Sequence, residues 1–334
     1  MAFKIKDNAV WGIIGYGSWA TALAGLLTES GNRIYWHIRN HEVLDGLQTE
    51  GRNPKYISEK SFNTDLIVPS DDINQIVSAS DIILVSVPSA YLKTFLEPLE
   101  VSLKEKFIIS AIKGIIPGEY CTVAEFFHDK YSIPFAQLGV IAGPSHAEEV
   151  SQGKLSYLTV VCTDPENART VSKSFQSDCL ITRLSQDLYG AEYAAILKNI
   201  YAIAAGLAEG LGYGDNFKAV LAAASAREMT RFINESFPFD RNTMESAYLG
   251  DLLVTCYSTY SRNRRLGLLI GHGCTVKSAL NEMTMIAEGY FASECIHIVN
   301  NRHGISMPVA DTVYEILYNG ASPRKKMKEL TYKL

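Results

Sequence analysis

The stretch Val10–Ala24, VWGIIGYGSWATALA, decides the fold. A short apolar run stops at Gly15 and Gly17, and a helix of small residues begins at once. A strand ending in G-x-G-x-x-G/A needs its first glycine for a tight turn and its second so that backbone can approach a pyrophosphate. It needs a small third residue for close helix packing. Gly15, Gly17 and Ala20 fill those places, and Ser18 and Trp19 open the helix, whose free N–H groups and positive dipole end attract phosphate without any side-chain charge. Such a turn also joins ordinary strands to helices. What favours a dinucleotide site is the second strand-like run that follows, Arg33–Ile38.

Short β-rich runs recur through the first half: Val10–Ile14, Arg33–Ile38, Leu66–Val68, Asp81–Val87, Phe107–Ala111, Leu138–Ala142 and Tyr157–Cys162. Helical stretches separate several of them, which implies βαβ units and a mainly parallel sheet. From about Asp187 the pattern changes to long apolar-periodic segments rich in Ala, Leu and Ile. The expected class is therefore α/β, with a Rossmann-type sheet domain over 1–186 and an all-α domain over 187–334. Phe237–Thr243 reads as a loop inside the second domain, and the basic tail PRKKMKELTYKL as a solvated helix end.

Composition narrows the partners. A chain of 334 residues with a net charge of −5 lacks the positive field of a general nucleic-acid binder. Six scattered cysteines without C-x-x-C spacing imply neither zinc nor a disulfide framework, and fit a reducing cytoplasm. No signal-peptide pattern opens the chain. The longest apolar stretch, Tyr193–Leu211, contains Lys198 and Glu209 and reads as a buried helix, not a membrane span. No metal is expected.

In an open parallel sheet, ligands bind beyond the carboxyl ends of the strands. That rule selects Pro88-Ser89, Lys113-Gly114 and Gly143-Pro144-Ser145-His146-Ala147-Glu148-Glu149, which are expected to face one crevice. Lys113 offers positive charge, or is a solvated loop residue. Ser145 offers a donor, and its Ser-x-x-Glu spacing also suits a helix N-cap. Lys198 stands among Ala194, Ala195, Tyr201 and Ala202 on a helix. Either burial lowers its pKa and makes it a usable acid or base, or its stem covers apolar surface while its head reaches water. Asp251, Thr255 and the segment Ser261-Arg262-Asn263-Arg264-Arg265 form either a small anion site or a salt-bridged surface turn.

Together these pieces resemble the bacterial NAD(P)-dependent glycerol-3-phosphate dehydrogenases, in family order and over nearly the whole chain. The matching segments are Gly15–Ala24, Ala111–Ile115, Gly143–Val150, Leu197–Gly206, Gly214–Asn216, Gly250–Thr255, Ser261–Gly267 and Ala287–Gly289. The resemblance implies reversible hydride transfer between NAD(P)H and dihydroxyacetone phosphate, giving sn-glycerol 3-phosphate for glycerophospholipid synthesis. It makes Lys198 the general acid/base. Lys113, Gly143, Ser145, Asp251, Ser261, Arg262 and Asn263 would contact substrate. Ser18, Trp19, Lys113, Ala147, Arg262 and Glu288 would contact cofactor. A homodimer is the default oligomer for such an enzyme.

Two departures stand out. The family commonly has Thr-Arg-Gly downstream of G-D-N, where this chain has Leu221–Ala226, LAAASA. The second strand ends in Tyr35-Trp36-His37-Ile38-Arg39-Asn40, without the acidic residue that holds an NAD ribose and repels a 2′-phosphate. Arg39 would accept that phosphate, so NADPH is the expected cofactor with NADH tolerated. The rival readings are a related two-domain hydroxyacid dehydrogenase and a catalytically silent NADPH sensor.

Overall fold

A computed structural model describes residues 3–334, and the chain divides into two compact units. The first comprises the residues up to Ile112 together with Val123–Leu188; the second comprises Lys113–Thr122 and Tyr189–Leu334.

The first unit is built on strands β1 (Trp11–Ile14), β2 (Ile34–His37), β3 (Ile67–Ser70), β4 (Ile82–Val85), β5 (Phe107–Ser110), β6 (Leu138–Ala142), β7 (Ser156–Cys162) and β8 (Leu180–Ser185). Among the described residues they form one eight-stranded sheet in the order β3-β2-β1-β4-β5-β6-β7-β8. All neighbours are parallel except β6 and β7. Because helices cover both faces, β1, β4 and β5 are buried along their whole length and read as continuous apolar runs. β1 lies between β2 and β4, with Trp11 in register with both Ile34 and Ile82. The chain order reverses there, at the topological switch point where such sheets bind ligands.

Each of the seven runs read from the sequence is a strand, with ends that agree or shift by one or two residues in either direction. The eighth strand, β8, has no apolar run to announce it. It lies at the sheet edge beside β7 alone, with Ile181 and Leu184 both exposed and Thr182 and Arg183 between them. Behind the sheet, Trp11 packs edge-on against Phe175 and Trp36 against Phe62, each indole fully buried.

The second unit is helical, as the periodicity implies. Its central helix, Leu188–Gly210, is buried on nearly every side between Ala191 and Ala208. Around it lie Asp215–Ser236, Asp251–Tyr257, Arg262–Gly271, Glu288–His303, Pro308–Tyr318 and Pro323–Leu330. Glycine lets two of these helices touch backbone to backbone. A Cβ on Gly206 would stand 2.0 Å from the carbonyl oxygen of Arg264, and one on Gly267 would stand 2.1 Å from that of Ile203. Phe237–Thr243 lies outside the helices. The basic tail packs Met327 and Leu330 inward while Lys326 pairs with Glu315 and Glu329, a structural helix end. No helix among the described residues is long and apolar enough to cross a membrane.

Candidate active site

The turn after β1 has the constraints that its glycines announce. Gly15 sits at φ +116°, and a Cβ there would meet the carbonyl oxygen of Ser86 at 2.2 Å, so only glycine fits. The indole N–H of Trp36 donates to the Gly15 carbonyl at 2.6 Å, and Asn53 Nδ2 donates to Tyr16 O and Thr21 Oγ1, pinning the loop. Gly17 is the N-cap of the helix Ser18–Glu29, whose first turn holds no acidic residue. Nothing stands within 4 Å of where a Cβ on Gly17 would be. Half-buried Ser18 and Trp19 open the helix, and Ala20 is fully buried against the core. A tight turn, open space above the second glycine and an acid-free helix N-terminus suit a pyrophosphate.

At the carboxyl end of β2, His37 is buried and its pKa falls to about 4, chiefly through desolvation, so it is neutral at physiological pH. Arg39 is exposed. Its guanidinium lies 4.8 Å from the Phe95 ring centroid and donates to Thr94 O, which holds it beside the end of β2. Beyond β6, Gly143 sits at φ +108° and Ser145 Oγ donates to its carbonyl. Ser145 is not the helix N-cap that its spacing allowed. His146 holds that position before Ala147–Ser151, without a side-chain cap bond.

Within the helical unit, three charged side chains from distant parts of the sequence converge. Lys198 Nζ donates to Asp251 Oδ1, and Lys113 Nζ donates to Asp251 Oδ2 at 3.2 Å. Asp251 is 1% exposed and Lys198 4%. Lys198 does not reach for water: its ammonium is inside, and its pKa is lowered from 10.5 to about 7. Burial is the main cause; Asp251 opposes it and Lys113 adds to it. Asp251 follows a π-helical segment, Ser246–Gly250, and opens the helix Asp251–Tyr257, where its carbonyl accepts from Thr255 Oγ1. Interruptions of that kind often re-aim a functional side chain.

Asn199, which sequence reading did not single out, ties this cluster to its neighbours. Its Nδ2 donates to Lys113 O at 2.7 Å and to Ala195 O, and its Oδ1 accepts from Asn263 Nδ2 at 2.9 Å. Asn263 Oδ1 in turn accepts from Gly289 N, next to half-buried Glu288, and a Cβ on Gly289 would meet Asn199 O at 2.5 Å. Ser261 caps Arg262–Gly271 by accepting from Arg264 N. Arg262 is exposed at the first position of that helix. Arg264 pairs with Glu209 and Arg265 with Glu282, so the salt-bridged reading holds for those two arginines. Lys113, Lys198, Asp251, Ser261, Arg262, Asn263 and Glu288 thus belong to the helical unit. Gly15, Gly17, Ser18, Trp19, Arg39, Gly143, Ser145 and Ala147 belong to the sheet unit.

Comparison with known proteins decides the family. Residues 11–168 match the model for the NAD-dependent glycerol-3-phosphate dehydrogenase N-terminus, and residues 187–328 match that for its C-terminus. A glycerol-3-phosphate dehydrogenase [NAD(P)+] from Salinibacter ruber is 35% identical over 326 residues, 95% of this chain and 94% of that protein. The chain belongs to the NAD-dependent glycerol-3-phosphate dehydrogenase family. One from Clostridium botulinum is 34% identical, with 95% of each chain covered. Among solved structures, the glycerol-3-phosphate dehydrogenase of Coxiella burnetii superposes with a TM-score of 0.89 at 27% identity, covering 98% of this chain and 99% of that one. As a member of this dehydrogenase family, the protein is an NAD(P)-dependent oxidoreductase.

Proposed function

We propose that the chain catalyses the reversible reduction of dihydroxyacetone phosphate to sn-glycerol 3-phosphate with NADPH, tolerating NADH, and that Lys198 is its general acid/base. The observation that carries this reading is the buried Lys198 ammonium, held by one carboxylate and faced by a second lysine at the family's motif positions. A bound nicotinamide would supply the hydride chemistry at carbon 2 of the substrate. Lys198 supplies the proton: its ammonium polarises the ketone and protonates the oxygen, and its neutral amine takes the hydroxyl proton in the reverse direction. A pKa of about 7 keeps both forms populated near neutrality, which serves a reaction run either way.

Asp251 anchors Nζ of Lys198, and Lys113 adds a cation beside the developing oxyanion. Arg262 and Asn263 hold the substrate phosphate, the guanidinium by its fork and the amide by the hydrogen that Asn199 leaves free. Ser261, Gly143 and Ser145 complete the substrate contacts. Gly15, Gly17, Ser18, Trp19, Ala147, Lys113, Arg262 and Glu288 contact the dinucleotide, and Arg39 takes its 2′-phosphate. The acidic balance supports a small-molecule partner over nucleic acid. We read the enzyme as a cytoplasmic homodimer that feeds glycerophospholipid synthesis. Substrate class is tested by offering NADPH with dihydroxyacetone phosphate and, separately, with a 2-oxo acid. Turnover of the phosphate alone supports the reading, and turnover of the carboxylate alone transfers the chain to the hydroxyacid dehydrogenases.

A further inference from the structure

The helical unit also holds a pocket that is partly open to solvent. Tyr201, Ala205 and Glu209 line it from one helix, at successive turns of a single face. Lys218, Ala222 and Ser225 line it from Asp215–Ser236, and Arg264 contributes from a third helix. The space exists because Ala205, Ala222 and Ser225 are small. It lies against Leu221–Ala226, the stretch where this chain departs from the Thr-Arg-Gly of its family.

Two features say what the pocket would take. Ser225 is 1% exposed, yet its Oγ has no hydrogen-bond partner among the described residues, a costly state for a buried hydroxyl. The charge on the wall is the other. Arg264 is neutralised by Glu209, whose two oxygens lie 2.8 and 2.6 Å from Nη2. Among the described residues Lys218 forms its ion pair with Asp215, whose side chain is 95% exposed, and so solvated a pair exchanges readily for another anion; Glu209 acts on Lys218 at longer range. We propose that this pocket binds a small hydroxylated oxyanion, its charge on Lys218 and a hydroxyl on Ser225. Carboxylates and phosphate esters share that chemistry.

Calorimetric titration of the full chain with glycerate and, separately, with glycerol 2-phosphate separates the two sources. Binding of either probe that survives in Lys198→Ala supports the proposal, and the tighter one names the head group. Lys218→Gln and Ser225→Ala should each weaken that binding about tenfold. Ala222→Leu should abolish it by filling the space, and Lys198→Ala should leave it within about twofold. Absence of binding by both probes overturns the proposal, as do affinities unchanged in Lys218→Gln and Ser225→Ala. Binding lost in Lys198→Ala but kept in Ala222→Leu places the anion in the catalytic cluster instead and overturns it as well.

Discussion

Lys198 stands between opposed influences, and the sign of each fixes a pH profile. Burial and Lys113 lower its pKa while Asp251 raises it, leaving it near 7. Reduction needs the ammonium, so its kcat/KM should fall as pH rises through about 7. Oxidation needs the amine and should rise over the same range. Lys113→Ala removes a lowering influence and should move both limbs to higher pH; Asp251→Asn removes a raising one and should move them lower. Profiles measured in both directions check this, and limbs that stay put in both variants would detach the observed titration from Lys198. Arg39 carries the cofactor prediction. Loss of a charge-assisted bond to the 2′-phosphate in Arg39→Ala should cut the NADPH-to-NADH ratio of kcat/KM by about tenfold; an unchanged ratio removes Arg39 from the account. At this scale the sequence exposed Lys198 through its apolar neighbours and Lys113 through its place after a strand. Asn199 stayed hidden because its value lies in bonds to residues 64 and 86 positions away, and an amide on a helix leaves no local pattern.

Helices that meet at glycine have little room to adjust. With a Gly267 Cβ only 2.1 Å from the Ile203 carbonyl, Gly267→Ala must push Arg262–Gly271 away from Leu188–Gly210. Such overpacking should cost about 1–3 kcal/mol in denaturant unfolding. It should also raise KM for the substrate, since Asn263 rides on the displaced helix. Parent-like stability and KM would show that the two helices are not held at backbone contact. Strands and helices whose burial repeats at their own period were plain in the sequence, and β8 was not, because an edge strand half open to water keeps Thr182 and Arg183 where an apolar run would otherwise show. Ser246–Gly250 escaped for a different reason. A π-helical turn adds one residue to an otherwise ordinary helical period, and nothing in Ser-Ala-Tyr-Leu-Gly marks it.

Across the whole molecule, the change from alternating β-rich runs to long apolar helices appears in the chain as a change of period, and the two units divide near it, at Leu188 and Tyr189. Residues 113–122 are the exception: they leave β5, group with the helical unit and carry Lys113 to Asp251, 138 positions later. Composition gives no sign of that excursion, since it is fixed by an ion pair and by the Asn199 bond to the Lys113 carbonyl, both of which need the folded chain. The family's reaction and the buried lysine are tested together in a single assay. NADPH absorbance is followed on addition of dihydroxyacetone phosphate to the parent chain and to a Lys198→Ala variant shown to be folded and to bind NADPH. Rapid oxidation by the parent and a fall of about 10²–10⁴-fold in the variant are expected. Oxidation that survives the substitution at the parent's rate would contradict Lys198 as the proton donor, and a parent that oxidises no NADPH would contradict the reaction itself.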